Sequence, residues 1–249
     1  MSKRFDEYLR ELKGISRRVG EGGIIVISGG GDVKGGRYKE IHISGGATIT
    51  GDVETEVLTV AGGLTAKGGV KAGLVDISGG ASFTSLECDN LNVSGGINVR
   101  GSLRVSRTAS ISGGIVVDGD LSAGDSIKVT GGLSIGGKLL SDVVEIRLGG
   151  RSSRIGEGIE ARDVKILSAK GVCRGLLYRI YSFVGRKPCV LNTGYIKADN
   201  IVIENVVCRY IEGNTVNIGP GCRIVGEVVY REHLELSSKS EVASTRKLG

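Results

Sequence analysis

The sequence predicts an all-β chain wound as a parallel β-solenoid of roughly 17-residue turns, led by a short N-terminal helix, and three observations predict it. The first is a repeated corner. An aliphatic pivot, a small residue and a Gly-Gly doublet recur at Ile27, Ile43, Val60, Ile77, Val93, Ile111 and Val129, with spacings of 16, 17, 17, 16, 18 and 18 residues. An eroded copy opens at Arg147, a further 18 residues on. Self-similarity at a fixed short period is the signature of stacked repeats. The second is the pattern inside each repeat. Apolar residues fall 2 before the pivot, at it, and 4, 6 and 10 after it, as in Leu91, Val93, Ile97, Val99 and Leu103. The local period is 2, that of strands with one buried face, and no 3.6-residue period competes. The third is composition. Of 249 residues 43 are Gly, 2 are Pro and none is Trp, and aromatics make up 4%. A core filled by Ile, Val, Leu and Ala is thin, which suits a fold whose turns touch only their neighbours.

Taken in order, residues 1–22 form a leader of different character. Phe5, Tyr8, Leu9, Leu12 and Val19 follow helical spacing, Ser2 is placed to cap the helix and Gly20 to end it. Two uses fit an amphipathic segment here with Phe5, Leu9 and Leu12 on one stripe. It covers the unpaired backbone of the first turn, or it lies on a membrane surface with Lys3, Arg4, Arg10, Lys13, Arg17 and Arg18 toward the headgroups. Residues 23–249 form the solenoid, most regular over 24–148. There the doublet is expected to supply positive φ at each corner, with Ser28, Ser44, Ser78, Ser94, Ser112 and Thr130 stacked outward beside it. Residues 174–195 interrupt the pattern as an aromatic insertion, in which Tyr178, Tyr181, Phe183 and Tyr195 gather with a basic rim. It is expected to be a hairpin against the solenoid or a lateral patch for a partner or lipid. Stacking resumes over 201–242, and the polar tail is expected to fray.

Charge and titratable residues narrow the function classes. The 33 basic and 27 acidic residues give a net charge of +6 scattered through the chain, which reads as solubility, and no nucleic acid partner is expected. The five Cys at 88, 173, 189, 208 and 222 show no C-x-x-C spacing and are expected to be reduced thiols packed as small apolar groups, in a cytoplasmic chain that is peripheral at most to a membrane. The two His, His42 and His233, lie far apart, so no metal site is expected. Gly29-Gly30-Gly31-Asp32 lacks the Lys-Ser/Thr of a phosphate loop. Residues Ile111, Val117, Ala123 and Val129 lie six apart as in hexapeptide acyltransferases, but the upstream turns break that spacing and carry no base. No catalytic residue and no cofactor are therefore expected.

The corners Gly51-Asp52-Val53 and Gly119-Asp120-Leu121, together with the C-terminal segment Ile218-Gly-Pro-Gly-Cys222-Arg-Ile224, Val228-Val-Tyr230 and Leu234-Glu-Leu236, carry a family resemblance. The chain resembles the bactofilins, polymer-forming cytoskeletal proteins, and in particular their longer relatives. The resemblance implies a right-handed triangular β-helix that polymerises end to end without nucleotide. The partners it implies are other copies of the chain, with a membrane surface or a protein in addition. The ends that would meet are marked by Ile25 and Ile27 on the leading edge and by Leu234 and Leu236 on the trailing edge. A capped monomeric β-helix that binds a protein or a polysaccharide is the competing reading, and an enzyme built on a β-helix is a third.

Overall fold

The computed structural model describes residues 22–149, 152–168 and 189–249. They contain twenty strands and no helix. The leader to Glu21, with Phe5, Leu9 and Leu12, and the insertion residues Tyr178, Tyr181 and Phe183 lie outside the described residues.

Every strand pairing is parallel, and the chain winds through about twelve turns with three faces. The first face carries the pivots, stacked in register as Ile27, Ile43, Val60, Ile77, Val93, Ile111, Val129, Ile146, Ile166, Ile203, Ile218 and Leu236. The second face follows the glycine doublet, with Ile49, Ala66, Phe83, Val99 and Val117 pointing inward. The third carries the inward column Val53, Val70, Leu86, Leu103, Leu121 and Leu139. These columns merge into one aliphatic core running the length of the stack. The sequence pattern set this geometry: Leu91, Val93, Ile97, Val99 and Leu103 are all buried, and a one-residue slip would turn them to water.

The turns are not uniform, and three sequence expectations need correction. The eighth pivot is Ile146, one residue before Arg147: Val129 pairs with Ile146, and Leu148, stacked on Gly131, is buried. The extra residues of that turn sit in the corner that follows, as the step to Ile166 is 20 residues. The step from Ile166 to Ile203 is 37 residues, and without the 20 residues 169–188 it is an ordinary 17. The solenoid therefore resumes at Cys189: Leu191 is buried in the second face, and Tyr195–Lys197 forms a strand of the third. The segment expected as an insertion through Tyr195 ends seven residues sooner. The polar tail does not fray from the stack either. Glu241–Lys247 pairs in parallel with Arg223–Leu236 and completes the last turn.

The two glycines of each doublet do different things. Only Gly113 and Gly131 among them hold a positive φ, so conformational freedom is not the common reason for glycine. Close stacking is. A Cβ on Gly45, Gly62, Gly79, Gly95, Gly113 or Gly131 would lie 1.9–2.0 Å from the carbonyl oxygen of the matching glycine one turn below. The second glycines, Gly46, Gly63, Gly80, Gly96, Gly114 and Gly132, have nothing within 4 Å of that point. The hydroxyl residues of the corner (Ser28, Ser44, Ser78, Ser94, Ser112 and Thr130) are exposed, as expected. At the opposite corner the Gly-Asp pairs act by hydrogen bonding. Asp52 Oδ1 accepts the N–H of Gly69 at 2.7 Å, and Asp120 Oδ1 accepts the N–H of Lys138 at 2.8 Å. Each carboxylate thus satisfies a backbone donor of the next turn, where the flat ladder breaks to bend.

Candidate functional site

Three surfaces of the stack are distinctive: its ends, a trough on the second face and a charged ladder on the third.

The ends differ sharply. Ile25 and Ile27, on the leading turn, are only 8% and 6% exposed. On the trailing turn Leu234 is half-buried and Leu236 is 45% exposed. The outer edge of the trailing strands has no partner among the described residues, which leaves a row of peptide groups and an apolar column at that end.

The trough, of about 850 Å³, runs along turns one to six of the second face. Its floor is Gly31 and then the second doublet glycines Gly46, Gly63, Gly80, Gly96 and Gly114, and its wall is the column Asp32, Thr48, Thr65, Ser82, Asn98 and Val116. Glycine in a strand weakens it, and neither sterics nor φ demands glycine at these positions. The result is a flat, smooth strip of backbone edged by short polar side chains.

The third face carries an outward column of alternating charge. Arg37, Glu54, Lys71, Glu87 and Arg104 stack in successive turns, and after Ser122 and Leu140 the column continues as Glu160, Lys197 and Glu212. Ion pairs join Arg37 to Glu54 at 2.8 Å, Lys71 to Glu87 at 3.3 Å and Lys197 to Glu212 at 3.4 Å. Strands stacked about 4.8 Å apart bring such neighbours together, and opposite signs there favour this register over a shifted one.

Tyr195, expected in the aromatic patch, belongs instead to this ladder. Its ring lies against Gly158, where a Cβ would come 2.5 Å from ring carbons, and its hydroxyl donates to Glu160 Oε1 at 2.5 Å. Lys138 Nζ reaches the same carboxylate at 3.2 Å, and Lys197 Nζ sits 5.9 Å from the ring centres of both Tyr195 and Tyr210. The titration of this cluster follows from those contacts. The hydrogen bond from Tyr195, then that from Lys138, holds Glu160 below the usual carboxylate range. The hydrogen bond to Glu160 raises Lys138. Desolvation, then the bond to Glu160, raises Tyr195. All three move away from neutrality, whereas a general acid or base works best with a pKa near the operating pH. The cluster locks the ladder across turns.

The cysteines divide. Cys88, Cys208 and Cys222 are free and buried, and burial pushes their thiols up to about 12, 12 and 11. Cys189 is disulfide-bonded, contrary to the expectation of reduced thiols throughout. Among the described residues no group of three or more His, Cys, Asp or Glu is placed to hold a metal ion, and no helix is long and apolar enough to cross a membrane.

Compared with family models, curated proteins and solved structures, the chain gives no match.

Proposed function

We propose that this chain is a self-associating structural scaffold: a non-catalytic, right-handed β-solenoid that joins other copies end to end without a nucleotide, as the bactofilin resemblance of its corners and C-terminal turns implies. The observation that carries the reading is the trailing turn. Leu236 is 45% exposed beside Leu234, at the end of a strand whose outer edge Glu241–Lys247 pairs only as far as Tyr230. A flat apolar edge with free peptide groups recruits a further strand. The charge ladder supports a mechanical role, because its ion pairs tie neighbouring turns together at three places along one face. Electron microscopy of the purified chain, with no nucleotide added, tests it. Twelve turns at about 4.8 Å make a rod of about 58 Å, and rods of multiple length are the expected image. Single rods at every concentration defeat the reading.

One observation favours a second reading, a monomeric adaptor. The glycine-floored trough gives an extended partner, whether a polypeptide or a polysaccharide, a smooth bed of backbone beside Thr48, Thr65, Ser82 and Asn98. Sedimentation as a monomer over the whole concentration range is the result that separates it from the first.

A further inference from the structure

The charged column of the third face is complementary to its own reverse. Its rows run turn by turn from Arg37, the first, to Arg246, the twelfth. A two-fold axis lying across this face sets the column of one copy on that of a second copy in reverse order. With the axis between Arg104 and Ser122, the fifth and sixth rows, Arg37 meets Glu212, Glu54 meets Lys197 and Lys71 meets Glu160, each twice by symmetry. Glu87 meets Leu140 and Arg104 meets Ser122, so no like charges are opposed. Other registers do worse. A slip of one turn sets Glu54 against Glu160 or, in the other direction, against Glu212, and like charges directly opposed are unfavourable. A slip of two turns sets Arg37 against Arg246 one way and leaves only Arg37–Glu160 and Glu87–Arg104 the other. A two-fold axis along the stack puts every charge against itself.

The neighbouring outward column agrees in size. In the first five rows it holds only Gly35, Asp52, Gly69, Ser85 and Ser102, beside a hollow of about 520 Å³. Its bulkiest members are Tyr195 and Tyr210, in rows nine and ten. The same two-fold sets Tyr195 against Asp52 and Tyr210 against Gly35, so the rings of each copy face the hollow of the other. The charges are within reach of a partner: Arg37, Lys71 and Lys197 are 79%, 69% and 52% exposed although each is paired within its own chain. Ten rows about 4.8 Å apart, on a strand about 10 Å wide, offer about 500 Å² per copy. The total of about 1,000 Å² stands at the lower limit of a specific interface.

We infer that the third face pairs two copies of this chain side by side, in opposite directions and in this one register. Exposed ion pairs contribute little each, while complementary charge fixes register and excludes the alternatives, so the contact is weak and sensitive to salt. The last two rows, Val229 and Arg246, lie beyond the partner's Arg37 and leave the trailing turn free. The pairing does not rest on the end-to-end reading. Where both operate, rods of alternating direction build a ribbon.

The test is carbodiimide coupling of the full chain, which joins an amine to a carboxylate in direct contact, with the dimer mapped by mass spectrometry. Links of Lys71 to Glu160 and of Glu54 to Lys197 are expected. Within one chain these residues stand five and seven turns apart, about 24 and 34 Å, so both links report a second copy. They should vanish in about 1 M salt, where screening sets in beyond about 3 Å. Lys71→Gln with Lys197→Gln removes four of the six pairs and is expected to weaken low-salt association tenfold or more, by sedimentation. Absence of dimers at low salt, or dimers linked only elsewhere, overturns the inference, as do links that survive high salt. Leu236→Lys separates the two contacts. The links are expected to persist in that variant, upholding the side pairing whatever the ends do, and their loss there overturns its independence. A parent chain that forms long rods without these links upholds the end contact and sinks this one.

Discussion

The carbonyl oxygen of Gly62 lies 1.9 Å from the point where a Cβ on Gly79 would stand, one turn above it. No side chain fits there, so through the seventh turn each turn settles on the last only because this corner is bare. Gly80, the next residue, has open space at the same point. The pair makes an internal control. Gly79→Ala forces two turns apart and is expected to cost about 3 kcal/mol or more, in the range of severe backbone strain. Gly80→Ala is expected to stabilise by about 0.5–1 kcal/mol, through a smaller unfolded-state entropy. Urea unfolding of both variants checks this, and equal effects would mean that the corner is read wrongly.

How much of this was legible beforehand depended on the kind of signal. The inward residues write themselves into the sequence as a period of 2, so Leu91, Val93, Ile97, Val99 and Leu103 were found by spacing alone. The doublet was a less faithful guide. It does not distinguish Gly79 from Gly80, and at the eighth turn the corner has grown, so the Gly-Gly after Leu148 points to Arg147 as pivot although Val144, Ile146 and Leu148 keep the period. Cys189, Leu191 and Thr193 alternate inward again, but the run is too short and too close to the aromatic residues to stand out as a period of 2. The last strand, Glu241–Lys247, was hidden because a terminal strand has water on most sides and needs few apolar residues. The charge ladder was invisible for another reason: Arg37, Glu54, Lys71 and Glu87 are neighbours only once the register of every turn is known.

Phe83 is the largest side chain in the core, and it stacks between Ala66 and Val99. The small Ala66 makes room for the ring, so the two positions share one volume. Phe83→Ala is expected to cost about 3–5 kcal/mol from lost burial and the cavity left behind. Ala66→Leu, which overfills the same space, is expected to cost about 1–3 kcal/mol. Pairing Phe83→Leu with Ala66→Val tests the shared volume: the double variant should be more stable than the sum of its parts, and strict additivity would count against it.

Burial raises the thiols of Cys88 and Cys208 to about 12 and that of Cys222 to about 11. The thiolate is the reactive form, so all three should resist alkylation at pH 8 in the folded chain and react together on unfolding. Mass spectrometry after a short iodoacetamide pulse gives the answer site by site. Rapid labelling of Cys208 in the native chain would show that the later turns open locally.

The cluster around Glu160 gives a pH dependence of definite sign. Its carboxyl is held down, first by the Tyr195 hydroxyl and then by Lys138, from an ordinary value of 4.5. A group of this kind contributes fully above 4.5 and loses its contribution as the pH falls through the lowered folded value. Glu160→Gln should therefore flatten the acid limb of the stability curve and leave its neutral part nearly level. With 42% of this side chain exposed, solvent screens the effect to under about 1 kcal/mol. A steeper acid limb in the variant contradicts the assignment.

The trailing turn makes the last prediction, and it turns on a side chain that does little for its own fold. Leu236 completes the pivot column on Ile218, but at 45% exposure it makes few contacts within the chain. Leu236→Lys should therefore shift the unfolding midpoint only slightly, within the roughly 0.5 kcal/mol usual for surface positions. If another copy covers this edge, the same change places a charge in the middle of an apolar contact, and the charge must be desolvated there. A weakening of self-association by tenfold or more is expected, which is about 1.4 kcal/mol. Val202→Lys is the control, because Val202 is 40% exposed on the flank of the first face, two turns in from the trailing end. Sedimentation equilibrium of the three proteins decides between end and flank. Loss of association in the Val202 variant alone would move the contact from the end of the stack to its side, where the outward columns, rather than the open strand edge, would have to supply the recognition.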